Sequence, residues 1–525
     1  MTPVHKILLL MLTLLPLCAA AQGDWIRKGD CLPPADGEAA TLRAKDVRRL
    51  PTPRTSWDAS KTYKQLVILV SFKDCDFSRE DPLGDYDKIF NQPGYNEGLG
   101  AGCVADYYRD QSGGRFNMSC DVFGPFKVDT LAQPYDKPTS STKNYGRAAM
   151  ERATRMMIEA NPSHDFKQYD WNGDGKIEQV IYVFAGYGGN QSSEKAYGYV
   201  WPNTSSFSTI TTPDGMKISS YTVSAELWTN NRSCGIGTIC HEYSHGLGLP
   251  DIYPTNDTAY STCDEWDLMD GGNFVNLGWC PPNYSPYEKL LLGWLNPIEL
   301  TERTTVTDLK SISEGGAVYR ISHTANEYLL LENRQWTGWD AGLPGKGLTI
   351  WHINHSDSKR SSNTVNNTPS ALGCQLVHAD NLDYTAWAAL TTPGKHQNKS
   401  YMNSMMLSTS PYPWSTDSTT FVNDALTDTS VPATLMINAN ANGQKLLSKP
   451  ITHIKVSDDG LVSFDFLIKG DINSDGKVNG SDIQAIINMI VNELSFEECI
   501  NGDVNGDGKV NGADIQSVIN IIIEE

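Results

Sequence analysis

Two histidines four residues apart, His241 and His245, with Glu242 beside the first, are the residues in this chain best suited to chemistry. Residues at i and i+4 share one face of a helix, so both imidazoles can grip one cation, and zinc suits such a pair. A carboxylate at Glu242 would stand beside a water at that cation. There it can take the water's proton during attack on a carbonyl and pass it to a departing amine. The bland reading of such a pair is two exposed histidines on a structural helix. The continuation Gly246-Leu247-Gly248-Leu249-Pro250-Asp251 argues against it. Gly248 can take the left-handed conformation that ends a helix, and Pro250 stops it from resuming. The chain then returns towards the cation with Asp251 as a third ligand.

An alternative third ligand is Glu265, twenty residues after His245, at a spacing that a thermolysin-like site would use. Such glutamates sit on helices, whereas STCDEWDLMDGG reads as a loop, which favours Asp251. In that loop Met269 lies eighteen residues beyond Asp251 and resembles the methionine turn that packs beneath the metal in metzincins.

Oxygen-rich loops form the second chemical signal. DINSDGKVNGSD and DVNGDGKVNGAD begin 32 residues apart, at Asp471 and Asp503. Side-chain oxygens fall at loop positions 1, 3, 5, 9 and 12: Asp471, Asn473, Asp475, Asn479 and Asp482, then Asp503, Asn505, Asp507, Asn511 and Asp514. Carbonyls of Lys477 and Lys509 occupy position 7, and Gly476 and Gly508 supply the sharp turn. Calcium takes six to eight such oxygens, so two ions are expected here. Aspartate at position 12 and no incoming helix make the pair resemble a dockerin rather than EF-hands. A third loop, with Asp170, Asn172, Asp174, Lys176 and Glu178, carries oxygens at positions 1, 3, 5 and 9 but Ile181 at position 12. It reads as a structural calcium site, against the alternative of a solvated Asn-Gly and Asp-Gly turn.

The elements that must position these groups can be traced from pattern. LVILVSF after Gln65 and QVIYVFAG from Gln179 read as buried strands, too short and β-branched for helices. CVADYYRDQSGG from Cys103 and NYGRAAMERATRMMIEAN from Asn144 have helical periodicity and end at Gly or Asn. After Pro297 the texture changes to short alternating runs such as VYRISH, YLLLENRQW, LTIWHIN and LVSFDFLI, an all-β signature of a sandwich. Each calcium loop is followed by isoleucine and valine at helical spacing, suited to packing the two halves together.

Together these motifs resemble the immune inhibitor A family of secreted bacterial metalloproteases. The likeness runs through LVILVSF, CVADYYRDQSGGRF, the strand ending AGYG, VWPN around Trp201, HEYSHGLGLPD, WDLMDGG, SPYEKLLLGWL and ENRQWTGWDAGLPGKGLTIWHIN. It implies a zincin fold, one catalytic zinc, structural calcium and cleavage of internal peptide bonds. The expected architecture is an α+β, metzincin-like catalytic domain at 63–296, a β-sandwich-like domain at 297–468 and a small helical dockerin-like domain at 469–525. A cohesin-like module is the partner that a dockerin would imply.

The remaining features set limits. Lys6 and the apolar run Ile7–Leu17, followed by Ala19, Ala20 and Ala21, read as a signal peptide over 1–21, too short to span a bilayer that needs about 20 apolar residues. Bulky Leu17 before Cys18 fits poorly with a lipoprotein. A polar stretch over 22–62 reads as a pro-segment or N-terminal arm, in which Cys31 could block the metal as a thiolate. The expected location is secreted, extracellular or on a bacterial surface, with no transmembrane segment. Ten cysteines remain after Ala21, which permits disulfides without fixing any pairing. A net charge of −20 argues against nucleic acid as a partner, and eleven acidic against two basic side chains after Lys469 concentrate the excess at the calcium loops. AGYGGN lacks the Lys-Ser/Thr of a phosphate loop. A competing class is a catalytically inactive surface binding protein on a peptidase scaffold; intact HEYSH argues against such decay.

Overall fold

A computed structural model describes residues 49–132, 145–189, 200–228, 231–256, 262–382, 407–415, 422–441, 443–473, 475, 477–492, 502–505, 507 and 509–524. The signal-peptide reading, most of the pro-segment with Cys31, and the turn glycines Gly476 and Gly508 lie outside these residues.

Strand β1 (Thr62–Ser71) is an interior strand of the first sheet. Helices α1 (Pro82–Asn91) and α2 (Val104–Gln111) lead from it to β2 (Asn117–Lys127), and α3 (Tyr145–Ala160) precedes β3 (Val180–Tyr187). Strands β4 (Asn203–Thr211), β5 (Lys217–Trp228) and β6 (Arg232–Ser233) complete it, in the order β2-β1-β3-β5-β4 with β6 on β5. The β2-β1-β3-β5 core is parallel and β4 runs antiparallel at the edge. Parallel strands covered on both faces need apolar residues at every position, which is why LVILV does not alternate with polar groups. Tyr63, Val67 and Leu69 enter one apolar cluster, and Leu66, Ile68 and Val70 enter the opposite one against α3.

The helix carrying His241 is α4 (Gly237–Gly246), and a short helix α5 (Pro286–Leu291) follows the methionine turn. Beyond it come β7 (Ile298–Glu299), β8 (Thr304–Leu309), β9 (Tyr319–Ser322), β10 (Glu327–Arg334) and β11 (Gly347–Asn354). Helix α6 (Asp357–Ser361) precedes β12 (Cys374–Leu376), β13 (Trp414–Ser415), β14 (Val422–Asn423), β15 (Ile451–Val456) and β16 (Val462–Phe466). They form a sheet β12-β11-β10-β9-β7, a sheet β15-β16-β8 and the β13-β14 pair.

Strand β10 is buried along its whole length because both its faces are covered. Tyr328 and Leu330 join the same apolar cluster as α4, whereas Leu329 and Leu331 pack with Phe464 and Phe466 of the second sheet. The sheet is therefore a wall shared by two cores, and the apolar interior continues across Pro297.

At the C-terminus, α7 (Gly480–Val491) and α8 (Gly512–Glu524) enclose a separate small nucleus of Ile472, Ile486, Val504 and Val518. The eight described cysteines stand as free thiols, and no helix among the described residues is long and apolar enough to cross a membrane.

Candidate metal centre

Helix α4 begins where glycine permits the closest approach. A Cβ on Gly237 would lie 2.0 Å from the Asn273 carbonyl oxygen, and one on Gly235, at φ +61°, would meet Gly278 at 2.5 Å. Ile236, Ile239, Cys240 and Tyr243 anchor the helix in the first core. Helix α2 fixes its height: the Tyr108 hydroxyl donates to the Cys240 carbonyl at 2.9 Å, and the Tyr107 hydroxyl donates to Pro282 O at 2.8 Å. The Tyr-Tyr pair of the CVADYYRD segment is thus a brace for the metal helix and the loop before α5.

The helix ends at Gly246, and Gly248 takes φ +100° as the chain turns back. Asp251 then lies against the two histidines. Its Oδ1 is 3.2 Å from His241 Nε2 and 3.3 Å from His245 Nε2. Among the described residues, these three form the group whose donor atoms converge, all within 4.8 Å of one another. Glu265 is not part of it. Instead it sits half-buried in a single 3-10 turn, Asp264–Trp266.

The other ring nitrogens decide the tautomers. His241 Nδ1 lies 2.8 Å from Leu268 O and His245 Nδ1 lies 2.9 Å from Leu249 O. A carbonyl can only accept, so both Nδ1 atoms carry protons and both Nε2 atoms are directed at Asp251. The methionine turn thereby serves the site twice. Leu268 O orients His241, and Met269, wholly buried, fixes the returning chain by accepting Ile252 N–H at 2.8 Å through its own carbonyl.

These residues fit a cation of zinc's size. His241 Nε2 and Asp251 Oδ1 are buried yet have no hydrogen-bond partner. With metal–nitrogen bonds of 2.0–2.1 Å, neighbouring ligands of a tetrahedral zinc stand about 3.3 Å apart, close to the separations above. The charge balance points the same way. Burial opposes ionisation of Asp251, but His245 and His241 outweigh it and hold the carboxyl well below its usual range. Burial would also lower His245, yet Asp251 and Glu242 raise it to about 9. Burial pushes the Glu242 carboxyl up, and Thr204 of edge strand β4 donates its hydroxyl to the Glu242 carbonyl.

The loop at Asp170 is folded around its own carboxylates. Asp170 Oδ1 accepts Gly173 N at 2.7 Å, Oδ2 accepts Gly175 N at 2.8 Å, and Asp174 Oδ1 accepts Lys176 N at 2.9 Å. Glu178 accepts Trp171 N–H at 3.4 Å through Oε2 and keeps a buried, unpartnered Oε1, and burial raises that carboxyl to about 7. The C-terminal loops repeat the pattern. Asp475 N donates to Asp471 Oδ1 and Lys477 N to Asp475 Oδ1, both at 3.0 Å, and Asp482 closes the loop by accepting Ile472 N at 2.7 Å. In the second repeat Asp507 N donates to Asp503 Oδ1 and Lys509 N to Asp507 Oδ1, both at 3.0 Å, and Asp514 accepts Val504 N at 2.9 Å. Asn479 and Asn511 are tied to the same closing aspartates through their backbone N–H groups at 2.8 and 2.9 Å.

Several supporting residues give no sequence signal. The Gln179 side chain donates to Tyr243 O at 3.0 Å and accepts from Thr222 at 2.8 Å. Arg360 in α6 and Asn363 just beyond it reach the chain around Gly248 and Asp251.

A mixed sheet with an antiparallel edge packs against a helix whose two histidines meet a returning aspartate, which defines a candidate metal-binding domain. Residues 54–292 match the family described as "Immune inhibitor A peptidase M6, catalytic domain", and residues 469–523 match "Dockerin type I domain". The chain thus carries an M6 catalytic domain of the immune inhibitor A type and a C-terminal type I dockerin domain. It is 25% identical over 291 residues to Immune inhibitor A of Bacillus thuringiensis subsp. alesti, covering 45% of this chain and 41% of that protein. It is 22% identical over 284 residues to Pre-pro-metalloprotease PrtV of Vibrio cholerae serotype O1, covering 47% of this chain and 30% of that protein. The chain therefore spans well under half the length of the curated relatives it matches.

Proposed function

We propose that this protein is a secreted zinc-dependent endopeptidase, with His241, His245 and Asp251 as metal ligands and Glu242 as general base and acid. The observation that carries the reading is the convergence of three buried donor atoms whose imidazoles are each oriented by a backbone carbonyl. Zinc held there would supply Lewis acidity, polarising the scissile carbonyl and bringing the pKa of water to about 7. Glu242 accepts a proton from the attacking water as oxygen adds to the carbonyl carbon. The same carboxyl then donates that proton to the amide nitrogen as the carbon–nitrogen bond breaks. Its burial, 3% exposed, suits this exchange because the carboxyl's affinity for a proton is raised. The catalytic domain on this reading is metzincin-like, and the two sheets after Pro297 form a sandwich.

The C-terminal loops bind two calcium ions, through Asp471, Asn473, Asp475, Lys477, Asn479 and Asp482 and through Asp503, Asn505, Asp507, Lys509, Asn511 and Asp514, and present a cohesin-type partner with helices α7 and α8. The Asp170 loop holds a further calcium with Asn172, Asp174, Lys176 and Glu178. The likeness to the two metalloproteases and the dockerin match support this arrangement.

The test is Glu242→Ala in the full chain. Casein cleavage should disappear while the folded protein retains one zinc by elemental analysis; cleavage that persists in the purified variant refutes the assigned role. Separate substitution of Asp251 and Glu265 should weaken zinc binding measurably in the first case alone.

A further inference from the structure

The third donor is held from outside the matched catalytic region. Segment 357–367 lies beyond residue 292, where the catalytic-domain match ends, yet it grips the second half of the metal motif residue by residue. Buried Arg360 donates from Nη1 to Gly248 O and to Pro51 O, both at 3.0 Å. Asn366 donates to Ile252 O at 2.6 Å, and Asn367 Oδ1 accepts Thr255 N at 2.8 Å. Between them, Asn363 takes Asp251 at both ends: its Oδ1 accepts the Asp251 backbone N–H at 2.7 Å, and its Nδ2 donates to Asp251 Oδ2 at 2.6 Å.

We propose that Asn363 is a positioning residue that fixes the carboxylate of the third metal ligand. The proposal rests on Asp251 being that ligand. A carboxylate on a short side chain can rotate about Cβ–Cγ and offer either oxygen. With Oδ2 engaged by the amide, Oδ1 is the oxygen turned to the histidines, at 3.2 and 3.3 Å. The amide is neutral, so it orients the carboxylate without cancelling the charge that draws a cation. Asn363 is itself set in place: it sits at φ +56°, a left-handed conformation that asparagine adopts more readily than most residues, and its N–H donates to Arg360 O at 3.1 Å. Its carbonyl also accepts the Thr255 hydroxyl at 2.9 Å, tying the turn to the loop that follows Asp251. The metal centre is therefore assembled from both sides of Pro297.

The experiment measures zinc affinity by chelator competition on the full chain for Asn363→Ala, Asn363→Asp, Asp251→Ala and the double variant Asp251→Ala/Asn363→Ala, with circular dichroism of each metal-free protein. Outer partners of metal ligands typically account for about 10- to 100-fold in affinity, and a loss of that size is expected for Asn363→Ala. Asn363→Asp keeps the size and the acceptor but sets a second carboxylate against Oδ2, so it should lose at least as much. In the double variant, removing Asn363 should weaken zinc no further than Asp251→Ala alone, an outcome that a general structural role would not give. Folded Asn363 variants within about twofold of the parent, while Asp251→Ala loses zinc, overturn the positioning role and leave the ligand intact. Undiminished affinity in Asp251→Ala overturns the ligand assignment, and this proposal with it. Asn363 variants that fail to fold even in saturating zinc also count against it, since a residue that orients one ligand leaves the fold standing.

Discussion

Replacing Arg334 with alanine should destabilise the protein more than removing almost any other single charge, and the structure gives the size of the effect. The guanidinium is fully buried, with Nε 2.6 Å from Glu332 Oε1 and Nη1 2.8 Å from Asp340 Oδ1, both carboxylates also fully buried. It donates further to Asn283 O at 3.2 Å and Tyr284 O at 3.0 Å, in the loop that leads into α5. Alanine removes the cation from two carboxylates, of which Glu332 retains the Trp351 indole N–H and Asp340 the Asn283 N–H, and takes a donor from two carbonyls. Removing one partner of a buried ion pair typically costs about 3–5 kcal/mol, against about 0.3–0.5 kcal/mol for an i,i+4 surface pair such as Arg155 with Glu151. The loss should also depend on pH. Burial already raises the Glu332 carboxyl with Arg334 as the chief opposing charge, and without the guanidinium it rises further. Protonation then relieves the variant in acid, and the deficit grows as pH increases. Urea unfolding followed by tryptophan fluorescence at about pH 5 and about pH 8 measures both quantities. A deficit below about 1 kcal/mol, or one equal at the two pH values, would refute the argument that this guanidinium neutralises a buried anionic pair.

Glu327 provides a second pH-sensitive prediction. Burial pushes its carboxyl up, but His352 Nε2, the Ile437 and Asn438 backbone N–H groups and the Asn438 amide outweigh burial and hold it at about 2, against an ordinary 4.5. A depressed carboxylate contributes stability that is fully present above the unfolded value and is lost as pH falls. About 3 kcal/mol should disappear between about pH 4.5 and about pH 2, and Glu327→Gln should flatten that part of the unfolding profile. Gly237→Ala should place a methyl group 2.0 Å from Asn273 O, forcing the first turn of α4 to shift at a cost of about 1–3 kcal/mol. A lower thermal midpoint together with weaker zinc binding checks it, and an unchanged midpoint rejects the close-packing reason for glycine there.

The parts of the site that obey a local rule were legible in the amino-acid sequence. His241, Glu242 and His245 are linked by helical periodicity, and the return of the chain at Gly248 follows from a glycine that must take a positive φ. The strands LVILV and VIYVF announced themselves because burial on both faces demands an unbroken apolar run. Asn363, Arg360 and Gln179 were not legible. Their partners lie 112, 112 and 64 residues away, and a lone asparagine that caps a carboxylate has the same local signature as one in a solvated loop. The shared use of the β10 sheet was hidden for a related reason. Alternation shows that a strand has two faces, and a fully apolar strand shows that both are covered, but neither says which part of the chain does the covering.

That sheet has a practical meaning for anyone shortening or recombining the protein. A cut at Pro297 would fall in sequence between two textures but in space through the middle of a continuous interior, stripping Tyr328 and Leu330 from the α4 side and Asn363 from Asp251. The tail is different in kind. Its nucleus of Ile472, Ile486, Val504 and Val518 is self-contained, so it can be transplanted to another carrier, whereas the α4 region and the β10 sheet travel as one piece.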